Sequence, residues 1–311
     1  MKKRLSIAAC PSYEPALVRD AVARHFELAG GIGSLIKRGD KVLIKPNLIA
    51  PRPAEQASLT HPAVIVETAR LLADFGARVT VGDSPAWSTA EHCIDVLGAT
   101  EHLKSIGARV CTLSNPVKTR VPCADTRVGL SRTALEADAI INLPKLKAHQ
   151  QMVLTAAFKN MYGAICGKKK AWWHYKRGEN QDVFAELVLG VYQRLTPVYT
   201  IIDAVTVMEG KGPLSGRPRE TGFIVAGRSA AGCELLCAEL LGYAKDELPM
   251  LRAWEKFAGP AELNDFELCG DELEPLRVSG FGRSEIVPVS FSLPRIFRSI
   301  IKQMIMTSKK Q

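Results

Sequence analysis

The densest run of chemically capable residues reads Asn142-Leu143-Pro144-Lys145-Leu146-Lys147-Ala148-His149, then Phe158-Lys159-Asn160-Met161-Tyr162-Gly163. Ammonium groups neutralise anions, amides orient a ligand through both donors and acceptors, and imidazole carries protons near neutral pH. Lys145, Lys147, Lys159 and Asn160 are therefore candidate ligand-binding residues, and His149 is a candidate acid or base. Gly163 and Gly167 permit close backbone approach. Lys168-Lys169-Lys170 and His174 continue the positive character, and the triple lysine reads as a solvated face.

Three smaller groups carry related chemistry. Lys45-Pro46-Asn47 is followed by Thr60-His61-Pro62. Lys45 can meet an anion, Asn47 can orient it, His61 can move a proton, and a helix start capped by Thr60 offers free backbone N–H groups. The plain alternative is that Asn47 turns the chain and Thr60 only caps. Asp83, in Gly82-Asp83-Ser84-Pro85, can orient a base or hold a metal, or can simply close an Asx turn. Asp203 and Glu209-Gly210-Lys211-Gly212-Pro213, with Arg217, form the last group. Glu209 reads as a general base or metal ligand, with a solvated loop tip as the alternative. No Gly-x-Gly-x-x-Gly follows a strand, so nothing signals a dinucleotide.

These residues need elements to hold them. Leu5–Cys10, Lys41–Lys45, Arg78–Val81, Val110–Leu113, Ala139–Leu143, Val198–Asp203 and Gly222–Ala226 read as short apolar strands. Helical periodicity marks Glu14–Ala29, Pro62–Phe75, Thr89–Leu97, Thr100–Ile106, Val183–Leu195 and Ala230–Leu241. Apolar strands alternating with helices predict an α/β fold, a mostly parallel sheet with helices on both faces. Ligands bind beyond the carboxyl ends of such strands, which is where Lys45, Asp83 and Lys145 fall. The division expected is a main α/β domain over 1–245 with a basic, loop-rich segment at 144–180, and a smaller α/β appendage over 246–292. A basic amphipathic tail follows over 293–311, with Leu293, Ile296, Phe297, Ile300, Ile301, Met304 and Ile305 on one stripe.

Composition narrows the partners. Of 311 residues 47% are hydrophobic, enough for a packed core, and the net charge of +9 favours anionic partners. No stretch interleaves aromatic and basic residues in a nucleic-acid-reading pattern, so no nucleic acid is predicted. No apolar run is long enough to span a bilayer. Ile7-Ala8-Ala9-Cys10 mimics a lipoprotein box but lacks a sufficient apolar segment before it. A soluble, cytoplasmic protein is expected. The eight cysteines contain no C-x-x-C pair, and buried packing in a reducing compartment is their expected role.

Together these segments resemble one family, the domain of unknown function 362 family. The residues that carry the resemblance are Lys45-Pro46-Asn47, Thr60-His61-Pro62, Val81-Gly82-Asp83-Ser84-Pro85, Ile141-Asn142-Leu143-Pro144-Lys145-Leu146-Lys147, His149, Lys159-Asn160-Met161-Tyr162-Gly163 and Met208-Glu209-Gly210-Lys211-Gly212-Pro213. The resemblance implies an α/β domain of unestablished activity. Many relatives carry an appended two-cluster ferredoxin segment, which implies redox or iron–sulfur chemistry. This sequence has no C-x-x-C-x-x-C run, so no intrinsic iron–sulfur cluster is expected, the cofactor is open, and a separate ferredoxin-like protein becomes a candidate partner. A fainter likeness, by analogy only, is to nickel-pincer lactate racemases, which also set histidines and lysines on loops of an α/β scaffold around an anionic substrate.

Two readings follow. One is an enzyme acting on a carboxylate or phosphate compound. The other is a non-catalytic protein that binds or delivers a ligand or cluster. The tail has three destinations: its own domain, an electron-transfer partner, or peripheral contact with an anionic membrane.

Overall fold

The structure is a computed structural model and describes residues 2–86, 88–167 and 169–286. Its first half runs β1 (Lys3–Ala9), α1 (Pro15–Leu28), β2 (Lys41–Pro46), α2 (Pro62–Phe75), β3 (Arg78–Asp83), α3 (Ala90–Val96), α4 (Thr100–Ser105) and β4 (Arg109–Thr112). A hairpin of β5 (Pro116–Val121) and β6 (Thr126–Ser131) leads through α5 (Arg132–Leu135) to β7 (Ala139–Leu143). Next come β8 (Lys145–His149), β9 (Val153–Thr155), α6 (Ala157–Met161), α7 (Lys169–Arg177) and α8 (Gln181–Leu195). The chain continues with β10 (Tyr199–Glu209), β11 (Arg217–Gly227), α9 (Ala230–Leu241), α10 (Pro249–Ala258) and β12 (Phe266–Gly270).

The main sheet has the order β12-β1-β11-β10-β7-β2-β3-β4, with β8 beside β10 and β9 beside β8. Along that path only β11 is reversed, pairing antiparallel with both β1 and β10. The α/β class expected from the alternating pattern is therefore the class observed. Strand residues alternate between two cores. Leu43, Ile140 and Ile202 face one core with α6, α8, α9 and α10. Val42, Ile44, Ile141 and Ile201 face the other with α1 to α4. Burial on both faces explains why these strands read as unbroken apolar runs rather than alternating ones.

Three expectations change. The segment 144–180 is mostly regular structure, because β8 and β9 add to the sheet and α6 and α7 cover it. Glu209, for which a solvated loop tip was the alternative, instead ends the β10–β11 ladder, which pairs it with Arg217. Residues 246–286 form no sheet of their own. Strand β12 pairs parallel with β1, and Met250 and Leu251 of α10 join the same core as α8. The tail over 293–311 lies outside the described residues. The β5–β6 hairpin was not anticipated; its alternation of exposed and half-buried residues lacks an apolar run.

Ile141 of β7 is fully buried at the centre of the sheet. Ile141→Ala should cost ~2–5 kcal/mol of unfolding free energy, read as a lower denaturant midpoint with unchanged slope. A loss below ~1 kcal/mol would mean that the sheet centre is less tightly packed than described.

Candidate functional site

The parallel strands β2, β3, β7 and β10 bring their carboxyl ends together, and the chemistry gathers there. Strand β7 stops at Leu143, Pro144 interrupts it, and β8 continues beside the second half of β10. Proline has no N–H for the ladder, but its carbonyl accepts from Asp203 N at 2.9 Å, which keeps the two segments in line. Along β8, Leu146 and Ala148 face the core while Lys145, Lys147 and His149 share the opposite face.

Each lysine has distinct partners. Lys45 pairs with Asp83 at 2.7 Å and also donates to Pro46 O at 2.6 Å and Asn160 Oδ1 at 3.3 Å. Its three N–H groups are therefore used. Lys145 pairs with Asp203 at 3.0 Å and donates to the Tyr13 hydroxyl at 2.5 Å. Lys147 donates to Asn47 Oδ1 at 2.8 Å and to the Ser58 carbonyl at 2.6 Å, both neutral acceptors. Lys159, the least buried of the group, lies over the rings of Tyr162 and Phe184 at 4.7 and 5.6 Å. Lys170 is buried and donates to the Ser84 carbonyl. That position was expected on a solvated face; instead α7 carries it inward, beside the loop that follows Asp83.

The amides form the frame. Asn160 donates to Lys45 O and Asn142 Oδ1, and its oxygen accepts from Asn47 and Lys45. An amide has two donors and two acceptor positions, so Asn160 has none left for a ligand. Asn47 is likewise shared between Lys147 and Asn160. Asp83 accepts from Leu48 N and Ser84 N, each at 2.7 Å, besides Lys45. It is an anchor of the loop ends. Gly163 sits against this ion pair: a Cβ there would lie 2.3 Å from Asp83 Oδ1 and 2.7 Å from Lys45 Nζ.

Both candidate histidines are neutral and accept backbone N–H bonds at Nδ1. His149 Nδ1 accepts from Gln151 N at 3.0 Å and Met152 N at 3.2 Å, which leaves the proton on Nε2. Burial, then the charges of Lys159, His174 and Lys147, holds its pKa well below the ordinary value. His61, not Thr60, caps α2: its Nδ1 accepts from Ala63 N. Burial pushes the His61 pKa down to about 4 against the pull of Asp203. Thr60 instead ties strands together, accepting from Asn47 N and donating to Leu143 O.

Glu209 stands apart. Its carboxylate takes Arg217 at 3.3 Å, Arg219 at 3.2 Å and Gly282 N at 2.9 Å. Burial raises its pKa, but these partners outweigh that and leave it below the ordinary value. Sequence reasoning missed Tyr13, whose hydroxyl joins Asp203 at 2.8 Å, Lys145 and Thr206 N, and whose ring stacks on His61 at 3.5 Å. The backbone N–H of Thr206 is free for it because β10 bulges between Ala204 and Thr206. A cleft of about 580 Å³ opens there, lined by Tyr13, His61, Glu55, Thr206 and Glu220. Another, of about 490 Å³, lies at the opposite edge among Lys41, Arg78 and Arg109, away from the network. Among the described residues no group of three or more His, Cys, Asp or Glu could hold a metal ion. Cys233 and Cys237 are buried in the core against β10 and β11.

Burial pushes Lys147 and Lys159 down to about 7 and Lys170 to about 8, with neighbouring ammoniums adding to it. Unfolded lysines keep their protons to about 10.4. Between pH 8 and 9 the unfolded chain therefore binds more protons, and stability rises with pH. Buried Glu234, pushed up to about 8, acts oppositely, chiefly below that window and fading across it. Lys147→Met should remove up to about 1.4 kcal/mol per pH unit from the rise, measured by denaturant unfolding at pH 8 and 9. An unchanged slope would show that Lys147 stays charged in the fold.

A family model described as domain of unknown function (DUF362) matches residues 42–239, more than half of the chain and all of the lysine network. A thylakoid-associated protein of Synechocystis sp. is 29% identical over 303 residues, covering 97% of this chain and 94% of that protein. Among solved structures, the lactate racemase apoprotein from Thermoanaerobacterium thermosaccharolyticum is 12% identical with a TM-score of 0.45. It aligns with 76% of this chain, which spans only 57% of that one. The family match over residues 42–239 is decisive by its extent: this chain belongs to the DUF362 family.

Proposed function

We propose that the protein binds an anionic small molecule, a carboxylate or phosphate compound, at the carboxyl-end lysine network and acts on it as an enzyme. One observation carries this reading. Five lysines, Lys45, Lys145, Lys147, Lys159 and Lys170, meet there, and among the described residues only two carboxylates, Asp83 and Asp203, pair with them. Unmatched buried ammoniums are costly, and an anion placed beside Lys147 between Lys159 and Lys170 would restore the charge of those two. His149, with its Nε2–H, would add a neutral donor. His61, Lys145, Asp203 and Tyr13 would order the neighbouring wall. Binding without turnover, including delivery to a separate ferredoxin-like protein, is the competing reading; loss of the bound compound to a new product distinguishes the enzyme.

The first test is thermal unfolding with inorganic phosphate and with acetate. A ligand at one hundred times its Kd stabilises a single site by about 2.7 kcal/mol, and Tm should rise accordingly. Lys159→Met should abolish the rise while leaving the fold intact, because this ammonium has aromatic partners rather than a carboxylate. Equal shifts in the wild type and the variant would defeat the proposal.

A location at a membrane surface has its own support. The relative from Synechocystis is thylakoid-associated by name, and no helix among the described residues is long and apolar enough to cross a bilayer. Helix α7 exposes Trp172 and Tyr175 on the same side as Lys169 and Lys176. Amphipathic aromatic rings beside lysines suit the headgroup layer of an anionic membrane. The full chain should sediment with vesicles containing anionic lipid, less so at high salt, and Trp172→Ala with Tyr175→Ala should weaken this severalfold. Undiminished sedimentation of the double variant would remove α7 from the contact.

A further inference from the structure

We infer that Lys147 is a neutral amine that condenses with the carbonyl group of a small 2-oxo acid whose carboxylate pairs with Lys159. The inference rests on the anion-site reading and narrows its ligand class. It begins from hydrogen-bond counting. An ammonium has three N–H groups, whereas a neutral amine has two and a lone pair. Lys45 uses three donors and has a carboxylate. Lys147 has two acceptors, Asn47 Oδ1 and the Ser58 carbonyl, both neutral. Two hydrogen bonds satisfy a neutral amine completely and leave its lone pair pointing away from both acceptors.

Two residues beside Lys147 carry buried hydroxyls without partners. The Ser58 hydroxyl is fully buried and has no hydrogen-bond partner among the described residues, although its own carbonyl is held by Lys147. The Thr155 hydroxyl is also buried and unpartnered, and Thr155 lies directly across the β8–β9 ladder from Lys147. Idle hydroxyls on two residues neighbouring Lys147 suit a carbonyl compound: carbon for the amine, oxygen for a hydroxyl. The charged groups acting on Lys147 come from every side. Lys159 from α6 acts most strongly, then Lys145 on β8, with Lys45 of β2 in the same sense and Asp83 of β3 opposing. Burial, the largest influence, and these charges together favour the neutral form, the usual way a lysine is made nucleophilic near neutral pH.

The step balances without an oxidant or reductant. The Lys147 lone pair forms a C–N bond to the carbonyl carbon, giving a carbinolamine. Both amine hydrogens then leave with the former carbonyl oxygen as water, and a C=N bond remains.

The test uses the full chain with glyoxylate and cyanoborohydride, which reduces the imine to a stable secondary amine located by peptide mass spectrometry. At pH 7 Lys147 should be labelled at least tenfold faster than exposed Lys37, with a pH midpoint near 7. The preference for glyoxylate over acetaldehyde should be greater at Lys147 than at Lys37, because only glyoxylate brings a carboxylate for Lys159. Asn47→Asp places an opposite charge against the ammonium and should move the midpoint above 8, with circular dichroism showing that the variant is folded. Labelling confined to surface lysines, or an unmoved midpoint in folded Asn47→Asp, overturns the inference. If phosphate still raises Tm while Lys147 is never labelled, the amine is wrong and the anion site stands; if neither occurs, both fall.

Discussion

A lysine taken out of water must meet an opposite charge, find enough neutral acceptors, or surrender its proton. That constraint organises the carboxyl edge of this sheet. Lys45 and Lys145 take the first course with Asp83 and Asp203. Lys147 has only neutral oxygens, Lys159 has aromatic faces and Lys170 a carbonyl. The two ion pairs are fixed further by what else grips the carboxylates: Leu48 N and Ser84 N on Asp83, His61 N and Tyr13 on Asp203. Removing either aspartate would leave a buried ammonium unmatched and free two loop ends together, which is why such pairs are costly to break.

The fold supplies this arrangement through two irregularities. Pro144 ends β7 and lets β8 carry three polar side chains past the sheet edge while its backbone stays beside β10. The bulge in β10 then frees Thr206 N for Tyr13, which brings the start of α1 over the site. A regular ladder in either place would have used those backbone groups and turned Lys145 or Tyr13 elsewhere. The glycine at 163 completes the edge, because only a residue without a side chain lets α6 and its following turn close on Lys45 and Asp83.

Much of this was legible in the sequence, for physical reasons. Strands buried on both faces write themselves as apolar runs, so β1, β2, β3 and β7 could be read with their ends nearly right, whereas β10 was read only as far as Asp203 and runs on to Glu209. Lys45, Lys145, Lys147, Lys159 and Asp83 could be gathered because parallel strands end on one side. What could not be read depends on contacts distant in the chain. Tyr13 meets Asp203 and Lys145 across 190 and 132 positions. Lys170 sits in a run of lysines whose local signal is solvation, and only the docking of α7 turns it inward. Glu209 carried a plausible base's chemistry, yet its fate was decided by Arg219 and by Gly282, which no local pattern connects to it.

The same polar motif therefore contains two populations of residues. Asn160, Asn142 and Lys45 have spent their donors on one another and on Ala157 O, Asp83 and Pro46 O, so they hold the edge together and have little left for a ligand. Lys147, Lys159, His149 Nε2 and the hydroxyls of Ser58 and Thr155 have not. Residue type alone cannot separate these groups, since lysine and polar residues occur in both. Hydrogen-bond capacity can: a saturated group is scaffold, and an unsaturated one beside unmatched charge is where a further molecule gains most by binding. By that criterion a further molecule would gain more from Lys147 and Lys159 than from Lys45 and Asn160.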